Sequence, residues 1–381
     1  MKRMLLLLLA GCLLLTALPM RVCADGPDIP APSAILIDAA TGTVLYEKNA
    51  DERLPPASVT KIMTLLLVME ALDSGRIGWD DTVVASETAA AKGGSQIYLE
   101  PGEQMSIDEM LKAVVVSSAN DCATALAEHI AGSEGAFVDR MNTRALELGM
   151  SNTHFVNCTG LDDDPDAAEH LTTARDIALM SRALLKHDRI RDYTTIWTDT
   201  VRNGEFGLAN TNKLIRFYDG ATGLKTGYTS GAGHCLSASA CRNGMELIAV
   251  VLHCASSTDR FSSAKALLDY GFANYALADP MQDVSLAPVP VVLGNAQTVQ
   301  PVPESSAPLL LDKGRLTGLT RSVELCESVD APVVLGQQLG TLRLEADGAL
   351  LAEIPLVAAE AVPRLTFGEL FYALLRSVCM G

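Results

Sequence analysis

From Lys61 onward the chain runs through Ile62, Met63, Leu65, Leu66, Leu67, Val68, Met69 and Leu72 with almost no polar interruption. A helix that is apolar all round cannot lie on a surface; other elements must cover it on most sides. Pro55 and Pro56 lead into it, where the first helical N–H groups lack intrahelical partners and proline is tolerated. At its start Ser58 and Lys61 sit three residues apart, one above the other on a helix face. A hydroxyl and an amine held together at the end of a buried helix are a candidate nucleophile and base. The competing reading is a capping serine and an exposed lysine. Ser-x-x-Lys occurs about once by chance in a chain of this length, and a second copy stands at Ser262 and Lys265. The remaining sequence has to decide.

A chain of 381 residues, 49% apolar and only 20% charged, has material for about two globular domains and is not disordered. Its net charge of −17 argues against nucleic-acid binding and against broad attachment to anionic lipid. Nine cysteines are scattered through it, with no Cys-x-x-Cys pair and no His-Glu-x-x-His. Zinc is therefore unsupported, no cofactor is implied, and buried small hydrophobes are the expected role of most thiols. Whether Cys235 pairs with Cys241 stays open.

Lys2 and Arg3, the apolar run Met4 to Leu18, and small residues before Ala24 read as a signal peptide over 1–24. Leu9-Ala10-Gly11-Cys12 offers a lipoprotein site as the minor alternative. From Ser33 the pattern is β, with a hairpin around Ala39 to Gly42. Helices follow: the buried one, then Met110 to Val116 behind the capping box Ser106 to Glu109. Others run from about Cys122, over Gly135 to Leu148, and from Thr172 to Leu185. Strands return after Tyr193, with Asn243-Gly244 as a strong hairpin turn between apolar runs at 235–241 and 245–253. Ser262 to Tyr275 is a closing helix. One sheet built from both ends with helices packed on it accounts for 25–277. Residues 278–360 carry short, proline-punctuated β runs, a small sandwich-like all-β domain. Residues 361–381 form an amphipathic helix with Phe367, Leu370, Phe371, Leu374 and Val378 on one face. It is too short to span a bilayer but suited to lying in its interface.

Three motifs stand in order: Ser58-x-x-Lys61, Ser118-Ala119-Asn120 and Lys225-Thr226-Gly227. Each is weak alone. Together, at a helix start, between helices and on a strand, they form the signature of class A β-lactamases and penicillin-binding proteins. With Pro55 to Ala57, Thr172 to Asp176 and Thr258-Asp259-Arg260, nearly the whole chain resembles the low-molecular-mass penicillin-binding proteins. These are serine-type D-alanyl-D-alanine carboxypeptidases of peptidase family S11. The resemblance implies an α+β fold. In it a transpeptidase-like catalytic domain, an antiparallel sheet flanked by helices, precedes the β domain and the helix. It implies removal of the terminal D-alanine from peptidoglycan pentapeptide, covalent reaction with β-lactams, and action outside the cytoplasmic membrane with the last helix on its surface.

Acyl transfer needs a serine deprotonated by a neighbour, and Lys61 serves only if burial keeps it neutral. Ser118 relays a proton to the leaving amine, and Asn120 orients the peptide. Lys225 supplies positive charge, Thr226 bonds a carboxylate, and Gly227 lets substrate lie against the strand. The backbone N–H groups of Ser58 and Tyr228 suit an oxyanion hole. Arg260 matches, by context, the family arginine that assists carboxylate binding. Ala119 replaces a frequent glycine and Tyr228 follows the third motif where other members have histidine. Asp162-Asp163-Asp164 reads as a solvated loop. A β-lactamase is the first rival, but its Glu-x-x-Leu-Asn loop is missing, Glu169 being followed by His170-Leu171-Thr172. An endopeptidase with the same chemistry and a non-catalytic peptidoglycan-binding protein are the others.

Overall fold

The structure is a computed structural model that describes residues 26–163 and 165–371. The expected signal peptide, Asp164 and residues 372–381 of the expected amphipathic helix lie outside the described residues.

Ser33–Asp38 (β1) and Val44–Lys48 (β2) form the first hairpin. The Asp38 carboxylate closes it by accepting from the Thr41 backbone N–H at 2.8 Å. Lys61–Asp73 is α1, Ile107–Val116 α2, Asn120–Ala131 α3, Glu134–Glu147 α4 and Ala174–Leu184 α5. Ala221–Thr229 (β3), Gly233–Arg242 (β4) and Met245–Cys254 (β5) follow, then Ser257–Asn274 (α6). The five strands make one antiparallel sheet in the order β2-β1-β5-β4-β3. The sheet is thus assembled from both ends of the catalytic unit, as the pattern implies.

Strand alternation divides the core. Ile35, Ile37, Ile248, Val250 and Leu252 face the helices, while Ala34, Leu36, Leu247, Ala249 and Val251 face α6. Covered on both faces, β1 is buried along its whole length. Eleven of the thirteen residues of α1 are buried, Lys61 among them. Each buried aliphatic side chain contributes about 1.5–3 kcal/mol, so this helix tolerates one desolvated amine, which costs several kcal/mol.

Local chemistry sets the ends. Asn243 (φ 52°) and Gly244 (φ 78°) make the tight β4–β5 turn. Two helices begin earlier than the periodicity suggests. Asn120 is the first residue of α3, not part of a preceding loop. α6 starts at Ser257 because Ser256 caps it, its hydroxyl accepting from the Asp259 N–H at 3.1 Å. Arg260 therefore lies in the first turn of that helix. The strands expected after Tyr193 begin only with Thr198–Val201, since Ile190–Thr194 is helical. Cys235 and Cys241 are both free. Six residues apart on one strand, about 20 Å, they are beyond disulfide reach.

Tyr275–Ala278 pairs with Leu309–Asp312 and ties the end of α6 to the β-rich part. There Val289–Val292 (β6) pairs in parallel with Val329–Asp330 (β8). Thr320–Leu325 (β7), Gln338–Ala346 (β9) and Ala349–Ala358 (β10) build a second sheet with Pro301–Pro303 at its edge. Val289, Val291, Val333, Leu339 and Ala358 share a core across the two sheets.

Candidate active site

The Lys61 Nζ donates to Ser58 Oγ at 2.9 Å and to the Thr159 carbonyl at 2.8 Å. Ser58 lies in a 3-10 turn, Ala57–Thr60, that runs directly into α1. Lys61 is fully buried, and desolvation pulls its pKa down to about 7, against smaller upward pulls from Cys158 and Asp121. The Ser262 copy of the motif is on the exposed side of α6, its hydroxyl bonded to the Asp259 carbonyl. Only the first copy holds amine and hydroxyl together.

β3 is the edge strand beside this turn. A Cβ on Gly227 would lie 2.7 Å from the Pro56 carbonyl oxygen and 3.1 Å from the Ser58 nitrogen. Glycine is required there because strand and nucleophile turn nearly touch. Lys225 is buried and donates to the Thr226 carbonyl at 2.9 Å. Burial, with the Lys61 and Arg260 charges nearby, pushes its pKa well below the ordinary lysine range. Thr226 Oγ1 donates to Thr211 Oγ1 at 2.7 Å, and the Thr211 N–H donates to the Val116 carbonyl at 3.2 Å. That chain of bonds brings the end of α2, with Ser118 just beyond it, against β3.

Ser118 is buried with φ 63°, a left-handed conformation for a non-glycine residue. Asn120 donates from Nδ2 to the Gly93 carbonyl at 2.7 Å, while its buried Oδ1 has no partner. Asp121 fixes the same corner by accepting from the N–H groups of Ile97 and Leu99 at 3.0 and 3.1 Å. Tyr228, 60% exposed, stacks on His234 with ring centroids 4.4 Å apart at the strand's outer end. Arg260 is buried behind the strand and donates to the carbonyls of Gly227 at 3.1 Å and Cys235 at 3.4 Å. Its Nε has no partner. All nine residues singled out in the sequence thus lie where the nucleophile turn enters α1, where α3 begins, on β3, or on the helix behind it.

The loop 157–161 completes the floor and carries no motif that draws attention. Asn157 Oδ1 accepts from the Gly160 N–H at 2.7 Å and from the Thr159 N–H at 3.2 Å, aiming the Thr159 carbonyl at Lys61. Gly160 (φ 81°) approaches so closely that a Cβ would stand 1.8 Å from the Ala57 carbonyl oxygen. His170 is a second residue that sequence reasoning passes over. Its Nδ1 accepts from the Val156 N–H at 3.1 Å, so Nε2 carries the proton and donates to Thr60 Oγ1 at 2.8 Å. Burial draws its pKa down to about 4, which keeps it neutral. An Asn-x-x-Gly turn that meets a dense apolar helix only in space leaves no periodic signature, so neither the loop nor the histidine is legible in the sequence. Among the described residues no cluster could hold a metal ion.

The profile of the family described as D-alanyl-D-alanine carboxypeptidase matches residues 20–256, and that of the penicillin-binding protein 5 C-terminal domain matches 281–364. The D-alanyl-D-alanine carboxypeptidase DacF of Bacillus subtilis is 42% identical over 379 residues, covering 96% of each chain. DacC of Escherichia coli is 35% identical over 91% of this chain and 88% of its own length. Penicillin-binding protein 5 of Haemophilus influenzae superposes with a TM-score of 0.73 at 30% identity, over 89% of this chain and 99% of that one. Penicillin-binding protein D2 of Listeria monocytogenes, solved with ampicillin bound, superposes with a TM-score of 0.59 at 33% identity, over 65% of this chain and 100% of that one. Site geometry, fold and relatives agree, and the chain belongs to the S11 peptidases, the serine D-alanyl-D-alanine carboxypeptidases of the penicillin-binding protein group.

Proposed function

We propose that Ser58 is the nucleophile and Lys61 its general base in removal of the terminal D-alanine from a peptidoglycan stem peptide. The observation that carries this is the 2.9 Å contact between a serine hydroxyl and a buried amine whose pKa is drawn to about 7. Neutral Lys61 takes the hydroxyl proton as Oγ bonds to the carbonyl carbon of the penultimate residue. The oxyanion is met by the N–H groups of Ser58 and Tyr228. Ser118 passes a proton to the leaving nitrogen, D-alanine departs, and water then hydrolyses the ester. A β-lactam forms the same ester and, as a ring-opened adduct, leaves slowly.

Burial first, then the Lys61 and Arg260 charges, hold Lys225 below the ordinary lysine range. A substrate carboxylate beside Lys225, Thr226 and Arg260 favours the charged form of Lys225. Asn120 orients the peptide amide, with its unpartnered Oδ1 as the acceptor. We assign 25–277 to catalysis and 278–360 to a separate β domain. Export follows cleavage after Ala24, and the amphipathic helix of 361–381 holds the enzyme on the outer face of the cytoplasmic membrane. No described helix is long and apolar enough to cross it.

Labelling with a fluorescent penicillin and mapping of the modified peptide tests the assignment. Modification at Ser58, lost in Ser58→Ala together with D-alanine release from pentapeptide, is the expected result. Release that persists in Ser58→Ala would overturn it.

A further inference from the structure

We propose that the end of the β domain from which the C-terminal segment departs is itself a lipid-docking surface, led by Leu335. The inference rests on the reading of the terminal helix as a membrane anchor and adds a second contact to it.

Parallel strands β6 and β8 leave their sheet at the same end. Their continuations are the loops starting at Leu293 and at Ala331. The C-terminal segment passes between them: Val333 and Val362 exchange two backbone hydrogen bonds of 2.9 Å, and the Leu365 N–H donates to the Leu293 carbonyl at 2.8 Å. Residues 367–371 then turn helical. Loops and helix start therefore share one end of the domain.

The two loops at that end are apolar and exposed. Val334 to Gln337 form a turn closed by the Gln337 N–H on the Val334 carbonyl at 3.0 Å, with Gly336 at φ 79°. Leu335 stands at its apex, 70% exposed, where any polar residue would serve the backbone equally well. Val334 is 60% exposed, and Val292 and Leu293 are also exposed. Phe367 (84% exposed) and Phe371 stack on each other at 6.4 Å, just past the Leu365 bond to Leu293. In a chain of net charge −17, neither 291–300 nor 331–338 contains a charged residue, and the C-terminal segment passing between them adds the exposed Arg364, opposite Gly294, and Glu369. Contiguous exposed apolar surface marks an interaction site. The occupant is a bilayer because the segment with the interfacial pattern starts there, so a helix lying in the interface brings the Leu335 turn to the same depth. Two contacts, a helix and a tip, would fix the tilt of the β domain on the membrane.

The test uses the full chain, extracted from its host membrane with detergent and mixed with zwitterionic phosphatidylcholine vesicles. Trp79 and Trp197 both precede the β domain, so a Leu335→Trp variant reports the tip by difference. We expect the variant to float with the vesicles and its added emission to fall at least about twofold when the lipid is brominated, at low and high salt alike. Val334→Asp with Leu335→Asp should weaken flotation about tenfold and leave turnover of soluble substrate unchanged. Flotation of the Leu335→Trp variant with its added emission unquenched would overturn the tip contact while leaving the helix anchor standing. Loss of flotation in the wild-type chain would overturn both. A concentration-dependent dimer abolished by the aspartates, without quenching, would assign the surface to a second copy and reject the lipid.

Discussion

Lys61 and Thr159 are joined through a 2.8 Å bond from amine to backbone carbonyl, across 98 residues of sequence. The carbonyl accepts one N–H whether the amine is neutral or charged, so it holds the nitrogen 2.9 Å from Ser58 Oγ in both states. Because the pKa of Lys61 is drawn to about 7, the neutral fraction falls as pH drops below that value. Acylation by a penicillin should be flat above about pH 8 and lose about tenfold per unit well below 7. Stopped-flow measurement of acylation across pH 5–9 reads this directly. A rate independent of pH over that range would remove Lys61 as the base.

The same burial has a cost to the fold. Lys61 binds a proton more weakly folded than unfolded, so the unfolded chain holds more protons between about pH 7 and 10.5. Stability contributed by this group therefore rises with pH through that window. Lys61→Met should abolish acylation yet raise unfolding stability at pH 7 by roughly 1–4 kcal/mol. Urea denaturation of the two proteins decides it; a destabilised Lys61→Met would show that the amine's hydrogen bonds outweigh its desolvation.

Glu134 holds the residue before the Thr159 carbonyl, Cys158, from outside. Its Oε1 accepts from the Cys158 N–H at 3.3 Å and from Cys158 Sγ at 3.2 Å, and its Oε2 pairs with Lys92 at 2.7 Å. We expect Glu134→Ala to let Cys158 and Thr159 shift, slow acylation about tenfold and move the acid limb of its pH profile. Glu134→Gln, which can still accept from Cys158, should recover most of the rate. A slower Glu134→Ala enzyme with an unmoved acid limb would point to general loosening instead.

His170 makes a prediction about acid. Its folded pKa of about 4 lies below the ordinary histidine value of 6.5, so between those values the unfolded chain takes up the proton first. Stability should drop as pH falls through that window, by up to about 1.4 kcal/mol per unit. His170→Gln should flatten this slope. Thermal melts at half-unit steps from pH 4 to 7 check it, and an unchanged slope would assign the acid sensitivity elsewhere.

Lys225→Ala and Arg260→Ala should each raise KM for a peptide ending in a free carboxylate about tenfold or more, with a smaller effect on the amide-capped peptide. Steady-state comparison of the two substrates is the measurement. Equal losses on both would place the carboxylate somewhere other than beside β3.

Local pattern carries the architecture: the apolar run after Lys61, the hairpin turn at Asn243-Gly244 and the short, unbroken apolar runs of β1 and β5 mark elements covered on both sides. The three motifs carry the site because each is local in sequence. What the sequence conceals is long-range and backbone-mediated. Thr159 contributes a carbonyl that every residue owns, and Gly160 matters only because Ala57 lies against it. The role of His170 depends on two partners far apart in sequence that meet at its ring, Thr60 and Val156. Helix starts are displaced where a serine cap, Ser256, outweighs the apolar pattern. That pattern alone puts Arg260 ahead of a helix, and its burial behind β3 follows from the cap.

The central strand of the sheet brings the two ends of the catalytic unit together, Ser33 opposite Leu252. Ser58 and Lys61 are made early, yet the strand that must lie beside them, and the strands that hold it, are made some 160 to 190 residues later. A chain emerging from N-terminus to C-terminus cannot close its site until β5 has arrived, because β1 has nothing to pair with on that side before then. Long-range pairing of this kind is slow. Nucleophile and substrate-binding strand therefore form one site only after β5 has been made and has paired with β1, however early Ser58 and Lys61 stand in the chain.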